Sequence, residues 1–441
     1  MKPTPTLVSG EPSDEIKELL GSAHIVKRLT YKELASALKS ISRRVVLKGD
    51  EEGDVLYHLR EDEDGLVLFI VNVNREKEHN VEIGIHGNYN VEEWNAITGE
   101  VSEIPANLSE ERTWISVELK PAGSKLFVLK PGKPREKKEL RLIKAGEIRL
   151  GDTWTIKRYD PNVLVLDYCR VRVSGAWSEL LPVPRVHERL VQMGIGTKYV
   201  LKFEFESKID LKERDIYLVI ENPKSFKKIL VNGVELKEPI ESWIDWNFAK
   251  YDISGIVERG LNTIEIYGVV NLEPEIENVY VLGDFGVKLG ARGTSIIVEE
   301  KKEVKCNDLC KEGYPFYCGN IELVKEVDIE VPKGMRAFLE ISSLKAALGV
   351  VYINGVEAGK LLETRSPKVE ITKFIRSGRN EIKILLVGTL RNTLGPLHYR
   401  DGDPWFTTPE TFYYANGKWT DEYVLRPFGV EGVRIAFYRE E

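Results

Sequence analysis

Two short stretches of this chain combine aromatic side chains with planar polar groups. Aromatic faces can stack on the apolar side of a pyranose ring, while amides, carboxylates and guanidinium groups can hydrogen-bond its hydroxyls. The alternative is that these aromatic residues pack in the core or between domains. We therefore treat both stretches as candidate carbohydrate-binding residues; they are Trp243, Asp245, Trp246 and Asn247, followed by His398, Arg400, Asp401 and Trp405.

Three of the four cysteines are clustered, in a C-x₃-C-x₇-C pattern formed by Cys306, Cys310 and Cys318. Structural zinc sites favour C-x₂-C-type spacing and four ligands, so we predict no metal site here. A short disulfide among these three cysteines and free buried thiols remain alternatives. Asp401 and Asp403 could hold a cation through carboxylate oxygens, but their turn-rich context favours solvated side chains. We predict no cofactor.

An internal repeat organises the second half of the chain. Val231–Glu235 resembles Ile353–Glu357, 122 positions later, and both contain an Asn-Gly pair. Asn-Gly between apolar runs is typical of a type I′ hairpin turn, in which both central residues need positive φ. Each copy therefore predicts a strand, a tight turn and a second strand, followed by a Gly turn and a further strand.

The repeat also bears on catalysis. Glycoside hydrolysis requires two carboxylates about 5–9.5 Å apart, and Asn380-Glu381 is an Asn-Glu pair of the kind found in glycosidase barrels. Asn380 matches Asn262 in the other copy, however, and Glu381 matches Thr263. This position is therefore predicted to be a turn and the start of a strand. We predict no catalytic residue in the chain.

Composition excludes several classes of protein. The chain has 441 residues, a net charge of −7, 42% hydrophobic and 30% charged residues, which is typical of a globular protein. Mild acidity gives no basic footprint for nucleic acid. The longest apolar run, residues 66–71, is too short to span a bilayer, and the N-terminus lacks the apolar core of a signal peptide. These features predict a cytoplasmic protein without a membrane partner. Abundant Lys, Glu and Arg with 3 Met suggest a thermophile.

The order of patterns predicts an all-β fold with three β-sandwich domains after a short helical N-terminal segment. Residues 1–44 form the helical lead, with a capping box from Thr30. Short alternating strands predict a small sandwich over 45–131, before a Pro/Gly-rich linker. The remaining chain predicts sandwiches over 139–300 and 301–441.

The motifs resemble a known family. The third domain is similar to the galactose-binding-like, sugar-binding jelly roll associated with glycoside hydrolase family 2 and α-L-rhamnosidase-type glycosidases. The second domain resembles another jelly roll of such enzymes, and the first resembles the small β-domain that follows their catalytic barrel. The segments that carry this resemblance are Gly313–Gly319, Asn354–Gly355, Thr389–His398, Leu166–Arg170, Tyr280–Val287, Phe69–Asn72 and Glu93–Gly99.

The resemblance has one large gap, because those enzymes carry their catalytic carboxylates on a (β/α)₈ barrel and this sequence has no barrel pattern. It therefore implies a carbohydrate-binding, accessory β-sandwich chain that is non-catalytic alone and docks a barrel-bearing glycosidase subunit. The alternative is a structural protein that assembles into homo-oligomers without sugar affinity. A hydrolase with an unrecognised site is a third reading.

Overall fold

We describe the protein from a computed structural model, which covers residues 44–134, 142–272, 276–404 and 406–440, together with residues 7–8, 11–12, 14, 18 and 30. Contacts divide the chain into two compact units, Met1–Leu140 and Arg141–Glu441. Almost all of the predicted helical lead lies outside the described residues. Two short strands, β1 (Leu7–Val8) and β2 (Glu11–Pro12), pair antiparallel. No helix in the described part of the chain is long and apolar enough to cross a membrane.

The first unit contains a sandwich of two antiparallel sheets. One sheet has the order β3-β6-β10-β9 and the other β4-β5-β11-β7-β8. Alternate residues of β5 are buried, as the period of two requires, and Leu68 and Ile70 are fully buried. Its strands are β3 (Val45–Lys48), β4 (Val55–Asp62), β5 (Gly65–Asn72), β6 (His79–His86), β7 (Tyr89–Trp94), β8 (Val101–Glu103), β9 (Asn107–Ser109), β10 (Arg112–Leu119) and β11 (Ser124–Pro131).

The second unit begins with two strands, followed by a middle sandwich. The middle sandwich packs the sheet β14-β24-β18-β22-β21 against the sheet β16-β15-β17-β23-β19-β20, to which β25 and β26 are attached. The elements are β12 (Leu142–Arg149), β13 (Thr153–Arg158), β14 (Asn162–Leu166), β15 (Tyr168–Arg172), β16 (Leu181–Pro182), α1 (Val183–Met193), β17 (Lys198–Ser207), β18 (Ile216–Glu221), β19 (Phe226–Val231), β20 (Val234–Glu235), β21 (Glu241–Trp243), β22 (Asp245–Asp252), β23 (Gly260–Val269), β24 (Val279–Gly283), β25 (Gly286–Lys288) and β26 (Ile296–Val298).

The C-terminal sandwich follows. Its larger sheet is β27-β13-β28-β34-β31-β32 and its smaller sheet is β12-β36-β29-β33, while β30 pairs with β35. The elements are β27 (Glu303–Lys305), β28 (Asn320–Ile329), β29 (Arg336–Glu340), β30 (Ser343–Lys345), β31 (Leu348–Ile353), β32 (Val356–Leu361), β33 (Lys368–Glu370), β34 (Gly378–Val387), α2 (Arg391–Leu394), β35 (Gly429–Glu431) and β36 (Arg434–Glu440).

Strand pairing makes the C-terminal sandwich discontinuous in sequence. Strand β12 pairs with β36, with Leu142 opposite Glu440, and β13 pairs with β27 and β28. Residues 142–158 therefore contribute strands to the C-terminal sandwich, although the sequence-based boundary at residue 300 places them with the middle one. The middle sandwich, 162–298, lies between these two parts along the chain. The predicted all-β fold of β-sandwich domains is confirmed.

The structure reproduces the repeat in its strand registers. Val231 pairs with Ile264 in the middle sandwich, and Ile353 pairs with Ile382 at the matching place in the C-terminal one. Both Asn-Gly turns have two positive φ angles, 47° and 81° at residues 232–233 and 51° and 81° at residues 354–355. These are the backbone conformations of a type I′ turn, so the predicted hairpins are confirmed.

A buried asparagine supports the Gly turn in each copy. Asn262 and Asn380 are both 0% exposed. The Asn380 amide nitrogen donates to the carbonyl oxygens of Arg376 and Gly378, at 2.8 and 2.7 Å. Its amide oxygen accepts from the Arg376 backbone N–H and from the Asn354 side chain, at 3.0 and 2.9 Å. Asn262 makes the equivalent four bonds, so this side chain holds a turn.

All four cysteines are free thiols in the structure, so the short disulfide is not formed there. Burial raises the pKa of Cys306 to about 11 and that of Cys310 to about 12. Burial likewise raises the pKa values of Cys169 and Cys318.

We expect the folded protein to resist alkylation at pH 7, because the thiolate is the reactive form and these thiols are neutral and shielded. Iodoacetamide labelling followed by mass spectrometry should show little modification of the native chain and four modified cysteines after unfolding without reductant. Two or more cysteines that need reductant before they react would instead show a disulfide.

Candidate functional site

A cleft of about 570 Å³ lies between the middle sandwich and the loop that follows α2. One wall carries Phe248 of β22 and Tyr280 of β24, and the other carries Phe412 and Tyr413 of the loop. Phe412 and Tyr413 are partly exposed to solvent. The cleft therefore offers aromatic faces from both of its sides.

Planar polar groups lie among these aromatic rings. Glu221 at the end of β18, Glu277 and Asn278 before β24, and His187 of α1 line the same cleft. Helix α1 buries Val183, Val186 and Leu190 against the sandwich, and this leaves His187 at the cleft wall. Carboxylate, amide and imidazole groups beside aromatic faces can bind a ligand that has both hydroxyls and an apolar face.

The Tyr280 hydroxyl is the most informative polar group of the cleft. Tyr280 is only 5% exposed, and its side chain lines the cleft together with Glu221 and Glu277. Burial is the main cause that raises the pKa of Tyr280, followed by the carboxylates of Glu277 and Glu221. The phenol therefore stays protonated at neutral pH and can donate a hydrogen bond to a ligand oxygen in the cleft.

The structure places the four candidate residues Trp243, Asp245, Trp246 and Asn247 in two different surroundings. Trp243 lies behind the cleft wall, where its ring packs on Tyr280 at 5.5 Å and on Phe248 at 6.3 Å between ring centroids. Asp245, Trp246 and Asn247 instead lie on an exposed segment, where Trp246 is 85% exposed and Asp245 accepts the Asn247 N–H at 2.9 Å. None of these four residues lines the cleft among the described residues.

The candidate residues of the second stretch, His398, Arg400, Asp401 and Trp405, also differ in their surroundings. His398 is buried, at 4% exposed. Arg400 is exposed and donates to the Trp419 carbonyl oxygen at 3.0 Å, and Asp401 pairs with Lys418 at 2.7 Å. Trp405 lies outside the described residues.

The two aspartates of this loop pair with basic side chains. Asp403 pairs with Arg391 and Arg426, while Asp401 pairs with Lys418. The part of the chain that the structure describes contains no group of three or more His, Cys, Asp or Glu residues that could hold a metal ion. The carboxylates that could have bound a cation are instead in contact with basic side chains.

A buried Asp–His pair joins the middle sandwich to the loop that follows α2, beneath the cleft. His398 Nε2 lies 2.8 Å from Asp167 Oδ2, and Asp167 is 1% exposed. The Tyr423 hydroxyl donates to the other carboxylate oxygen at 2.9 Å. A small cavity of about 30 Å³ beside this pair is lined by both residues and shares Pro184, Asn278 and Phe412 with the cleft.

Both ring nitrogens of His398 have hydrogen-bond partners. Nδ1 lies 2.8 Å from the Thr420 carbonyl oxygen, which can only accept, so Nδ1 carries a proton. Nε2 is hydrogen-bonded to the Asp167 carboxyl group at 2.8 Å. The imidazole also stacks on Trp419, with ring centroids 4.4 Å apart. Every polar side-chain atom of Asp167 and His398 thus has a hydrogen-bond partner, and the pair acts as a structural bridge.

Tyrosine hydroxyls complete this network. Burial and the nearby Asp167 carboxyl raise the pKa of Tyr423 well above its usual value. Burial, and then the hydrogen bond to Asp421 at 2.9 Å, raises the pKa of Tyr168. Both phenols therefore stay protonated and act as donors at neutral pH.

Sequence reasoning missed most of the cleft. Phe248 and Tyr280 lie in strands with ordinary apolar patterns, so nothing in the sequence separates them from core residues. Asp167 did carry a signal, because a carboxylate follows the apolar run Val163–Leu166 and a buried carboxylate requires a partner. His398 was predicted as a sugar ligand, but the structure shows it in this bridge.

No protein-family model matches the sequence, and no curated protein matches it. Among solved structures, a rhamnosidase from Novosphingobium sp. PP1Y is similar with a TM-score of 0.46 and 15% identity, over 96% of this chain and 29% of that one.

Two further glycoside hydrolases are similar over smaller parts. An α-L-rhamnosidase from Streptomyces avermitilis, complexed with L-rhamnose, has a TM-score of 0.22 and 11% identity over 83% of this chain and 31% of that one. A β-glucuronidase from Faecalibacterium prausnitzii has a TM-score of 0.22 and 14% identity over 36% of this chain and 30% of that one. The chain thus spans less than a third of each of these proteins. Likenesses this distant do not establish a family or an activity.

Proposed function

We propose that the chain binds carbohydrate in the cleft formed by Phe248, Tyr280, Phe412 and Tyr413. The observation that carries this proposal is the lining of the cleft, where the rings of Tyr280, Phe412 and Tyr413 lie together with the carboxyl groups of Glu221 and Glu277. A pyranose supplies hydroxyls for the polar groups and an apolar face for the rings. The motif resemblance to sugar-binding jelly rolls supports the same ligand class.

We further propose that the chain is a non-catalytic accessory part of a glycoside hydrolase, which docks a barrel-bearing catalytic subunit. The experiment is a hydrolysis assay of the purified chain on a panel of nitrophenyl glycosides. No turnover is expected. Turnover that is lost in Glu221→Gln or Glu277→Gln would contradict the proposal, because these variants remove the ionised carboxylates of the cleft.

Binding is expected to depend on Tyr413. Tyr413→Ala removes an aromatic face that is 49% exposed, and an aromatic contact contributes on the order of 1 kcal/mol or more, so we expect about tenfold weaker binding. Tyr57→Ala is the matched control, because Tyr57 is 46% exposed on the N-terminal sandwich. A glycan array should identify a ligand, and calorimetry should then compare the variants. Equal losses in both variants, or no loss in Tyr413→Ala, would contradict a sugar site in the cleft.

The partner can be sought directly. Native mass spectrometry of the complex isolated from its source should show the chain with a second, barrel-bearing polypeptide in a fixed ratio. A homo-oligomer alone would contradict the split-enzyme proposal. The cytoplasmic location and the thermophilic source stay predictions.

One observation favours the structural alternative. The outer face of the sheet β4-β5-β11-β7-β8 exposes Leu56 and Phe69 on adjacent strands, with the paired residues Trp94 and Val101 at the far edge. Apolar residues spread across one sheet face are a feature of interaction surfaces. In this second function, the face would pair with a second copy of the chain. Its test is the oligomeric state of Phe69→Glu, which should become monomeric if copies associate there.

A further inference from the structure

A second concave surface, which we call the basic groove, lies on the middle sandwich. It has a volume of about 660 Å³ and is lined by Arg172, Lys198, Lys227 and Tyr267, with the loop of residues 173–175 at its edge. Arg172 pairs with Val200, and Val200 pairs with Tyr267, so strands β15, β17 and β23 present these side chains on one face of the sheet. The groove therefore rests on regular strands.

The charge of the groove is unlike that of the chain. The chain has a net charge of −7, yet no Asp or Glu is among the residues that line the groove. Within the described residues, none of its three basic side chains forms an ion pair with a carboxylate in the structure. Three basic groups without acidic partners in one concavity create a positive potential that attracts anions.

Other basic residues of the same sheet, outside the groove, do pair with carboxylates. Lys202 pairs with Glu204 at 2.8 Å, and Lys228 pairs with Glu235 at 3.2 Å. Lys227 differs because it is the extra residue of a β-bulge, since Phe226 pairs with Gly268 and Lys228 pairs with Tyr267. A bulge changes the direction of a side chain relative to the regular strand.

Aromatic and apolar surfaces accompany these charges. The Arg172 guanidinium lies 4.4 Å from the ring centroid of Trp177, so stacking restrains it beside the groove. Val200 and Val269 supply apolar surface, and Tyr267 fixes its hydroxyl by donating to Glu265 at 2.8 Å. A ligand suited to this surface has anionic groups and a ring with an apolar face.

We propose that the basic groove binds an acidic saccharide, in which carboxylate or sulfate groups pair with Arg172, Lys198 and Lys227. The pyranose ring lies over Val200 and Tyr267. This site shares no lining residue with the cleft, so it does not depend on the function proposed for the cleft. Guanidinium and ammonium groups bind carboxylates and sulfates through charge-assisted hydrogen bonds.

The test uses calorimetry with defined probes on the full chain. The probes are an oligogalacturonate, its methyl ester, which has the same backbone without the charges, and a sulfated chondroitin oligosaccharide. We expect at least one acidic probe to bind, with an affinity that falls as salt rises, and the methyl ester to bind at least about tenfold more weakly. A preference for the uronate or the sulfate identifies the anionic group.

Paired variants locate the site. Lys198→Ala/Lys227→Ala should weaken binding of the acidic probe at least about tenfold, because charge-assisted hydrogen bonds are lost. Lys212→Ala/Lys288→Ala is the control, since it removes the same charge from exposed positions of the same sandwich that do not line the groove. Tyr413→Ala should leave binding of the acidic probe unchanged, which separates this site from the cleft.

Three outcomes with these probes and variants would overturn the proposal. These are no binding of either acidic probe, equal binding of the methyl ester, and equal losses in the two lysine pairs. Tighter binding of a single-stranded oligonucleotide than of both acidic probes would assign the groove to nucleic acid and also overturn it.

Discussion

Replacing Asp167 by alanine is expected to destabilise the second unit by about 3–5 kcal/mol, the largest effect that we predict for a single side chain. The carboxyl group is buried and contacts His398 and the Tyr423 hydroxyl. Its removal leaves two buried polar groups without partners, and each such group costs about 1–3 kcal/mol. The cost falls where the loop after α2 packs on the middle sandwich, because His398 belongs to that loop and Asp167 follows strand β14.

Urea denaturation followed by circular dichroism measures this effect. Asp401→Ala is the matched control, because Asp401 pairs with Lys418 on the surface, and exposed ion pairs contribute about 0–1 kcal/mol. Asp167→Ala/His398→Leu should cost less than the sum of the two single changes, since both act on one contact. An Asp167→Ala effect no larger than that of Asp401→Ala would show that the bridge is not a source of stability.

Asn380→Ala and Asn262→Ala are expected to lower the free energy of unfolding by about 3 kcal/mol each. Each side chain is fully buried and satisfies two backbone carbonyl oxygens, one backbone N–H and one asparagine amide. Loss of these bonds leaves several buried groups unpaired, at about 1–3 kcal/mol per group before relaxation. The two effects should add, because the residues belong to two separate hydrophobic cores.

The double variant and a surface control complete this test. Asn247→Ala changes an exposed asparagine, so it should alter stability by less than about 0.5 kcal/mol. If Asn380→Ala behaves like Asn247→Ala, the turn does not depend on its asparagine. If only one of the variants Asn262→Ala and Asn380→Ala lowers the free energy of unfolding, the two copies of the repeat do not share a stabilising residue.

Local patterns predicted much of the fold. The Asn-Gly pairs predicted both hairpins, and the alternation of apolar residues predicted the strands, because turn type and side-chain direction depend on neighbouring residues. The partner of β12 could not be predicted in this way. Leu142 pairs with Glu440, and a strand pattern does not encode which distant strand lies beside it.

The candidate site was less predictable. The pattern of aromatic residues in polar stretches selected Trp243 and His398 as candidate ligands. Both side chains are packed, Trp243 behind the cleft wall and His398 in the pair with Asp167. Phe248 and Tyr280 line the cleft, but their sequence pattern is that of core residues. A strand that is buried on one face has the same pattern whether that face contacts a core or a ligand. Residue type indicated the chemistry, and only tertiary packing determined which side chains reach the cleft.

The discontinuous C-terminal sandwich also constrains the order in which the chain can fold. During synthesis, all strands of the middle sandwich are available once residue 298 has been made, whereas β12 must wait for β36, which ends at Glu440. Contacts between residues this far apart in sequence form slowly. Until then β12 and β29, which flank β36 in the final sheet, both have an unpaired edge, and such edges favour association between chains. A nascent chain therefore carries its greatest risk of aggregation after the middle sandwich has folded.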